Sequence, residues 1–406
     1  MMPPMKWFLL ILFLIVFGFR LWLRRLNLSY LKQHGQEVPP VFAGHVDQEL
    51  LKKTTAYTLA NSRLQLIASV FSGIVLVLFL FGGLLAWYDG WIGQLTDSFV
   101  AHGVLFVLGL IVLQTLLDIP FSLYRTFVLE ERFQFNNATP MLWVSDLLKS
   151  FLIGGLLLAL VTAGCLVLVQ ANPNTWWVWV WIFLAVMTLL MMYLSPVLIE
   201  PLFFKFQPVQ DQQLANRLKE IMARAGLQVE RVQQVDASRR SGHSNAYFTG
   251  IGRVKRIVLF DTLLAQMNED EIVAVLAHEA GHWRLGHIWK RLLMIEGVSL
   301  AGCWLAWWLP PAHLSFVGQV VLLGFLASIV GFLLQPLSSG LSRRHEWQAD
   351  RFAVGLTANG NALASALVKL STENLSNLHP HPWYAWFYYS HPPVTARVTR
   401  LVARNS

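Results

Sequence analysis

Apolar runs of hydrocarbon length recur along this chain, and such a run must cross a bilayer or be wrapped inside a large core. Seven can be read: Trp7–Leu23, Leu66–Trp87, Gly103–Tyr124, Leu147–Val169, Trp176–Leu194, Leu292–Leu309 and Phe316–Leu334. Of the 406 residues, 55% are hydrophobic and only 13% charged, about half the charged share of a soluble domain. A soluble globular protein and a disordered chain are thereby excluded, and the expected fold class is mainly α, a polytopic membrane protein. In the third run Asp118 and Pro120 follow Leu117, so that span either continues as a kinked helix or stops short. The first run lacks a small-residue cleavage site and is followed by Arg24 and Arg25, so it reads as a retained helix rather than a signal peptide.

The net charge of +8 would suit nucleic acid, but the placement of the basic residues says otherwise. Arg24, Arg25, Lys32, Lys52, Lys53 and Arg63 follow the first span, Arg125 and Arg132 the third, and Arg343 and Arg344 the seventh. Lys205, Lys290 and Arg291 flank the long polar segment after the fifth, whereas the loops after the second, fourth and sixth spans carry none. This alternation predicts an N-terminus outside, a cytoplasmic polar segment and C-terminus, and membrane lipid rather than nucleic acid as partner. Trp176, Trp177, Trp179, Trp181, Trp304, Trp307 and Trp308 would then line the outer interface. The ending Ala403-Arg404-Asn405-Ser406 is no ER-retention signal, and a bacterial inner membrane is expected in preference to the ER. Cys165 and Cys303 both lie in apolar runs, which excludes a disulfide framework and a cysteine zinc site.

Four parts are expected: residues 1–195 with five spans, a polar domain at 196–291, residues 292–336 with two spans, and a C-terminal part at 337–406. Within the polar domain Asp211 to Ala225 has helical periodicity ending at Gly226, and Val229–Val235, Ala246–Thr249 and Arg256–Phe260 read as strands of a small β-sheet. Asn268 and Glu271 make a capping box, with Glu269 and Asp270 favoured by the helix dipole.

The helix so capped carries His278, Glu279, Ala280, Gly281 and His282, an H-E-x-x-H pattern. Positions four apart differ by only about 40° around a helix, so both imidazoles share one face and can share one metal ion. Unrelated histidines on a surface helix are the bland alternative; with 12 histidines in the chain, chance gives the pattern on the order of 0.01 times. A catalytic zinc takes three protein ligands and keeps one position open. His287, five residues beyond His282, would lie about 140° round the same helix, so it is read as a structural or rim histidine. Glu346, on a helical segment just past the seventh span and on the same side of the membrane, is the better third ligand. Asp350 lies one turn further along and would orient a ligand histidine through its second nitrogen. A solvated Arg-Glu surface network is the alternative for this pair.

These residues resemble a family, the type I CAAX prenyl proteases, integral-membrane zinc metalloendopeptidases. The resemblance runs through Pro120–Asn136 (PFSLYRTFVLEERFQFN), Glu200–Phe206 (EPLFFKF), Ser241–Gly250 (SGHSNAYFTG), His278–Trp283 (HEAGHW), Ser342–Ala353 (SRRHEWQADRFA) and Ser390–Arg397 (SHPPVTAR). Gln134 stands where the family usually has glycine, and Trp347 where it usually has phenylalanine. The resemblance implies seven helices around an intramembrane chamber, one Zn2+ held by His278, His282 and Glu346, and Glu279 as general base. It further implies that His391 and Arg397 lie near the zinc and position substrate or oxyanion, and that Asn245, with Ala246 and Tyr247, forms an edge strand to which an extended substrate adds.

The expected activity is peptide-bond hydrolysis on a membrane-associated peptide or protein, including lipid-anchored ones, by a monomer. Asp118 and Glu296, inside or at the edge of spans, are functional candidates because lipid exposure of such groups is unfavourable. Two other readings are open: a quality-control zinc protease acting on misfolded membrane proteins, which usually has fewer spans, and a transporter or channel with a structural zinc. The latter would close its fourth metal position with a further Cys or His.

Overall fold

The computed structural model describes residues 3–250, 256–309 and 313–403; residues 404–406, read above for a retention signal, lie outside them. The first half is helical: α1 (Pro3–His34), α2 (Gln48–Phe81), α3 (Leu84–Gly93), α4 (Phe99–Tyr124), α5 (Pro140–Ala171) and α6 (Trp176–Leu194). Local chemistry sets several of the starts. Asp47, Ser98 and Thr139 each accept a hydrogen bond from the backbone N–H three residues on, offsetting the unpaired donors of a helix N-terminus.

Two expected boundaries move. The span expected over 66–87 stops at Phe81, where Gly82 and Gly83 interrupt it and Gly83 takes φ +89, a conformation glycine alone adopts freely. The third span does continue: α4 runs through Pro120 and passes into π-helical turns at Arg125–Glu130.

The polar segment begins with a short π-turn at Ser195–Ile199 and α7 (Glu200–Phe203), then β1 (Phe206–Pro208), α8 (Gln212–Arg224), β2 (Arg231–Val235), β3 (Ala246–Thr249), β4 (Arg256–Phe260), α9 (Asp261–Gln266) and α10 (Glu269–Arg284). The sheet order is β1-β2-β4-β3, with β2 and β4 parallel and the outer pairs antiparallel. β1, which was not anticipated, pairs Phe206 with Val235. Alternation along the strands sends Val232, Ala246, Phe248, Ile257 and Leu259 into one core with α8 and α10, and Val235, Tyr247 and Val258 to the other face.

The chain continues as α11 (His287–Trp308), α12 (Phe316–Thr357), α13 (Gly360–Glu373), α14 (Pro382–Tyr388) and α15 (Val394–Val402). Six described helices are long and apolar enough to cross a membrane, against the seven expected. The missing one is α11, which carries Lys290 and Arg291 in its first turns and Glu296 inside its apolar run. It nevertheless lies against α6, where Trp181 Nε1 donates to the Glu296 carbonyl at 3.1 Å. α12 is continuous for 42 residues, so the boundary expected at 336/337 falls inside it at Pro336, and the one at 291/292 falls inside α11.

Contacts run α1-α2-α3-α4-α5-α6-α11-α12 and back to α1, a ring in which α12 also touches α3 and α4. On α5 the stripe Leu148, Leu152, Leu156 and Leu160 stays exposed, as a lipid-facing surface requires.

One departure from the family pattern has a visible consequence. Gln134, exposed, takes φ +65 in the turn where the N–H groups of Phe135 and Asn136 both donate to the Glu130 carbonyl. Gln134→Gly should therefore stabilise the protein by about 0.5–1 kcal/mol, the left-handed strain removed less the entropy glycine adds to the unfolded chain. A higher midpoint for thermal loss of the folded state in detergent would show it; a lower one would contradict it.

Candidate metal centre

The capping box of α10 forms as expected: Asn268 Oδ1 accepts from Glu271 N at 3.0 Å, and Glu271 Oε2 accepts from Asn268 N at 2.9 Å. Glu271 is buried, and Lys369 Nζ and Ser365 Oγ of α13 donate to it at 2.7 and 2.6 Å. Burial alone would raise its carboxyl, but these hydrogen bonds and that of Asn268 outweigh it and hold the group below the usual range. α10 is thereby fixed to the C-terminal helices at its start.

Near its other end α10 meets α12 at very short range. A Cβ placed on Gly281 would lie 3.0 Å from Ala349 Cα and 3.3 Å from Ala349 O, so glycine is what lets the two backbones touch. This contact delivers Glu346 to the histidine pair. His278 Nε2 and His282 Nε2 are 3.2 Å apart, and each lies 3.3 Å from an oxygen of Glu346.

One ligand atom from each of the three lies within 4.8 Å of the others. Glu346 Oε2 is buried and makes no hydrogen bond among the described residues, although its carboxylate faces both rings. Three lone-pair donors converging on one point, one of them an orphaned buried oxygen, fit a cation, and two imidazoles with one carboxylate is a catalytic zinc set.

The supporting groups are equally specific. Asp350 Oδ1 lies 2.9 Å from His278 Nδ1, on the side away from Glu346. Arg397, buried, grips Asp350 with Nε and Nη2 at 3.0 and 2.5 Å, and its Nη1 lies 3.6 Å from Glu346 Oε2. Burial works against a charged His278, but the carboxylates of Asp350 and Glu346 beside its two nitrogens outweigh that and raise it from 6.5 to about 9.

His391 is exposed, with Nε2 3.3 Å from Glu346 Oε1 and Nδ1 2.9 Å from Ser390 Oγ. Glu279, half-buried between the two histidines in sequence, has no ion-pair partner among the described residues. Asn245 is exposed at the start of the edge strand β3, which packs on α10, and its Oδ1 accepts from Ala246 N at 2.8 Å. Ala246 is buried in the core, and Tyr247 turns its hydroxyl to Glu200 Oε2 at 3.0 Å. Asp118 and Glu296 form no ion pair among the described residues and stand outside the metal group.

His287 is the structural histidine of the two alternatives, though not by the expected geometry. It does not continue the face of α10, because the helix ends at Arg284 and Gly286 takes φ +70 before α11 begins. The turn buries His287 behind His282, their Nδ1 atoms 3.1 Å apart, so it is no rim residue. The residue reading also missed a network that ties the membrane helices to the sheet. Tyr57 donates to Glu130 Oε1 at 3.0 Å, His243 Nε2 lies 3.4 Å from Glu130 Oε2, and His243 Nδ1 lies 3.1 Å from Asn374 Oδ1. Its signal was present, since Glu130 and His243 fall in two of the quoted motifs. Trp347, the other departure from the family pattern, packs under the Arg400 guanidinium at 4.7 Å.

Comparison with known proteins extends over nearly all of the chain. Residues 27–205 match the family described as CAAX prenyl protease N-terminal, five membrane helices, and residues 208–405 match peptidase family M48. The chain is 34% identical over 395 residues to the CAAX prenyl protease 1 homolog of Arabidopsis thaliana, covering 90% of each. It is 34% identical over 416 residues to CAAX prenyl protease 1 of Saccharomyces cerevisiae, covering 92% of this chain and 90% of that one. The crystal structure of S. mikatae Ste24p superposes with a TM-score of 0.89 at 30% identity, covering 98% of this chain and 99% of that one.

The raised basicity of His278 carries a measurable consequence for metal uptake. Without metal the ring holds a proton up to about pH 9, and a cation must displace it. Between about pH 7 and 9 each unit of acidification should weaken zinc binding roughly tenfold, with about one proton released per ion. Titration calorimetry in two buffers of different ionisation enthalpy measures both; an affinity flat across this range would contradict it.

Proposed function

This chain belongs to the CAAX prenyl protease 1 family of integral-membrane zinc metallopeptidases, and from that premise we propose how its own residues divide the work. His278, His282 and Glu346 hold the zinc. The observation that carries this reading is the convergence of their three donor atoms, with Glu279 beside them on α10. Zinc, when bound, supplies Lewis acidity toward the scissile carbonyl and the attacking water. Glu279 takes the proton from that water and returns it to the leaving amine; its lack of an ion-pair partner keeps it available. His391, exposed beside Glu346, donates to the carbonyl oxygen as it gains charge. Asp350 holds His278 through Nδ1. Arg397, committed to Asp350 by two nitrogens, acts here as a positioning residue rather than an oxyanion donor.

The substrate is a C-terminal CAAX-type segment of a membrane-associated protein, lipid-anchored ones included, from which a terminal tripeptide is released. It lies extended along β3, adding to that edge by main-chain hydrogen bonds beside Asn245, Ala246 and Tyr247. Entry is from the chamber enclosed by the helix ring. The four chain segments divide accordingly: 1–195 and 292–336 build the ring, while 196–291 and 337–406 carry the site. One chain contains every group named, which supports a working monomer.

Glu279→Gln tests the central assignment. The variant should fold, retain zinc at the wild-type stoichiometry and lose nearly all cleavage of a CAAX-type peptide, as measured by metal analysis beside a cleavage assay. Retained activity would sink the role of Glu279, and lost zinc would make it a ligand instead.

For orientation we propose the N-terminus outside and the metal centre on the cytoplasmic side, supported by the alternation of basic loops. In a chain with Cys165→Ser and Cys303→Ser, Asn174→Cys should react with an impermeant thiol reagent in intact cells. Glu373→Cys should react only after permeabilisation. The reverse pattern would place the site on the outer face.

A further inference from the structure

Each ring nitrogen of His282 has its own neighbour. Nε2 faces His278 and Glu346, at 3.2 and 3.3 Å. Nδ1 points away from them to His287 Nδ1 at 3.1 Å, and His287 Nε2 in turn lies 2.8 Å from Gln348 Oε1. The His287 ring is 3% exposed and stacked on His345, centroids 4.0 Å apart and planes within 10°. A buried imidazole so enclosed has no freedom to turn, and the side chains it touches settle where its proton lies.

The proton count follows from the donor and acceptor inventory of imidazole and amide. If Nε2 of His282 is to give its lone pair to a metal, the proton of the neutral ring must sit on Nδ1. That N–H donates to His287 Nδ1, which must therefore present a lone pair. His287 then carries its proton on Nε2 and donates it to the Gln348 carbonyl oxygen. Every atom in the chain is used once. Run in reverse, a proton on His287 Nδ1 would force the His282 proton onto Nε2, in the middle of the metal group, where it blocks coordination.

We propose that His287 is a positioning residue for the metal centre, a neutral imidazole that fixes the tautomer and ring plane of His282, as Asp350 does for His278. The proposal rests on the reading that His278, His282 and Glu346 hold zinc. The two histidines thus receive unlike support: a carboxylate balanced by Arg397 behind one, an uncharged acceptor behind the other. The difference is physically sensible, because a second supporting carboxylate would add a third buried anion to Glu346 and Asp350. Gln348 completes the relay from the same helix that supplies Glu346.

The test follows zinc release to a chelator from the purified full-length protein in detergent, with cobalt spectra as a second readout. His287→Phe keeps the stacked ring and removes the acceptor; it should weaken metal retention 10 to 100-fold and shift the visible bands of the cobalt form. His287→Asn places an amide oxygen near the position of Nδ1 and should recover most of both. Gln348→Met leaves both histidines in place and should weaken retention several-fold, so it decides the matter should the Phe variant fail to fold. Wild-type retention in His287→Phe or Gln348→Met, or no recovery in His287→Asn, overturns the proposal. His282→Ala is the control: if it keeps zinc, the metal-site reading fails, whereas if it loses zinc and the Phe variant does not, only the role of His287 falls.

Discussion

The contact on which the site depends is between backbones, where Gly281 of α10 meets Ala349 of α12 without room for a Cβ. Everything else follows from the helical period around that point. Glu346, Ala349, Asp350 and Ala353 lie at spacings of three and four and are all buried, so they form one face of α12. Seating that face against α10 places Glu346 on the histidine pair and Asp350 behind His278 in one movement. The neighbouring face, with His345 and Gln348, falls against His287. A wider separation of the two helices would withdraw several groups at once, not one.

Charge is balanced as closely as shape. Glu346 and Asp350 are two buried carboxylates sharing one buried arginine, Arg397, and a buried anion lacking a partner is strongly unfavourable. The deficit is met by positive charge at the histidine pair, and a protonated His278 and a divalent cation are alternative ways to supply it. The pocket is thus built around a positive centre that the protein itself provides only in part.

Much of this was legible in the residues. Four-residue spacing on a helix required His278 and His282 to share a face, the 140° offset counted against His287 as a ligand, and the place of Glu346 just past the seventh span pointed to it instead. The capping box at Asn268 was readable because its chemistry is local. What was not readable depended on breaks in periodicity. Continuing a 3.6-residue turn through Leu285 and Gly286 sends His287 away from the metal, whereas the left-handed Gly286 folds it back behind His282. The same blindness extended the second span across Gly82 and Gly83, and ended the seventh at Leu334, where hydropathy falls but the helix does not. The sheet edge was anticipated, yet the inward turn of Tyr247 depends on Glu200, some 47 residues away.

The continuity of α12 makes it a lever. Its far end is tied where Ser315 N donates to Asp89 Oδ2 at 2.7 Å and Ser315 Oγ to Asp89 Oδ1 at 2.5 Å. The ~31 residues from there to Glu346 span roughly 46 Å at helical rise. A one-degree tilt about that fulcrum swings Glu346 by about 0.8 Å, more than the ~0.5 Å tolerance of a preorganised catalytic constellation. The tilt of a long helix is set by packing against its neighbours, so the contacts that α12 makes with α1, α3, α4 and α11 bear mechanically on the alignment of Glu346.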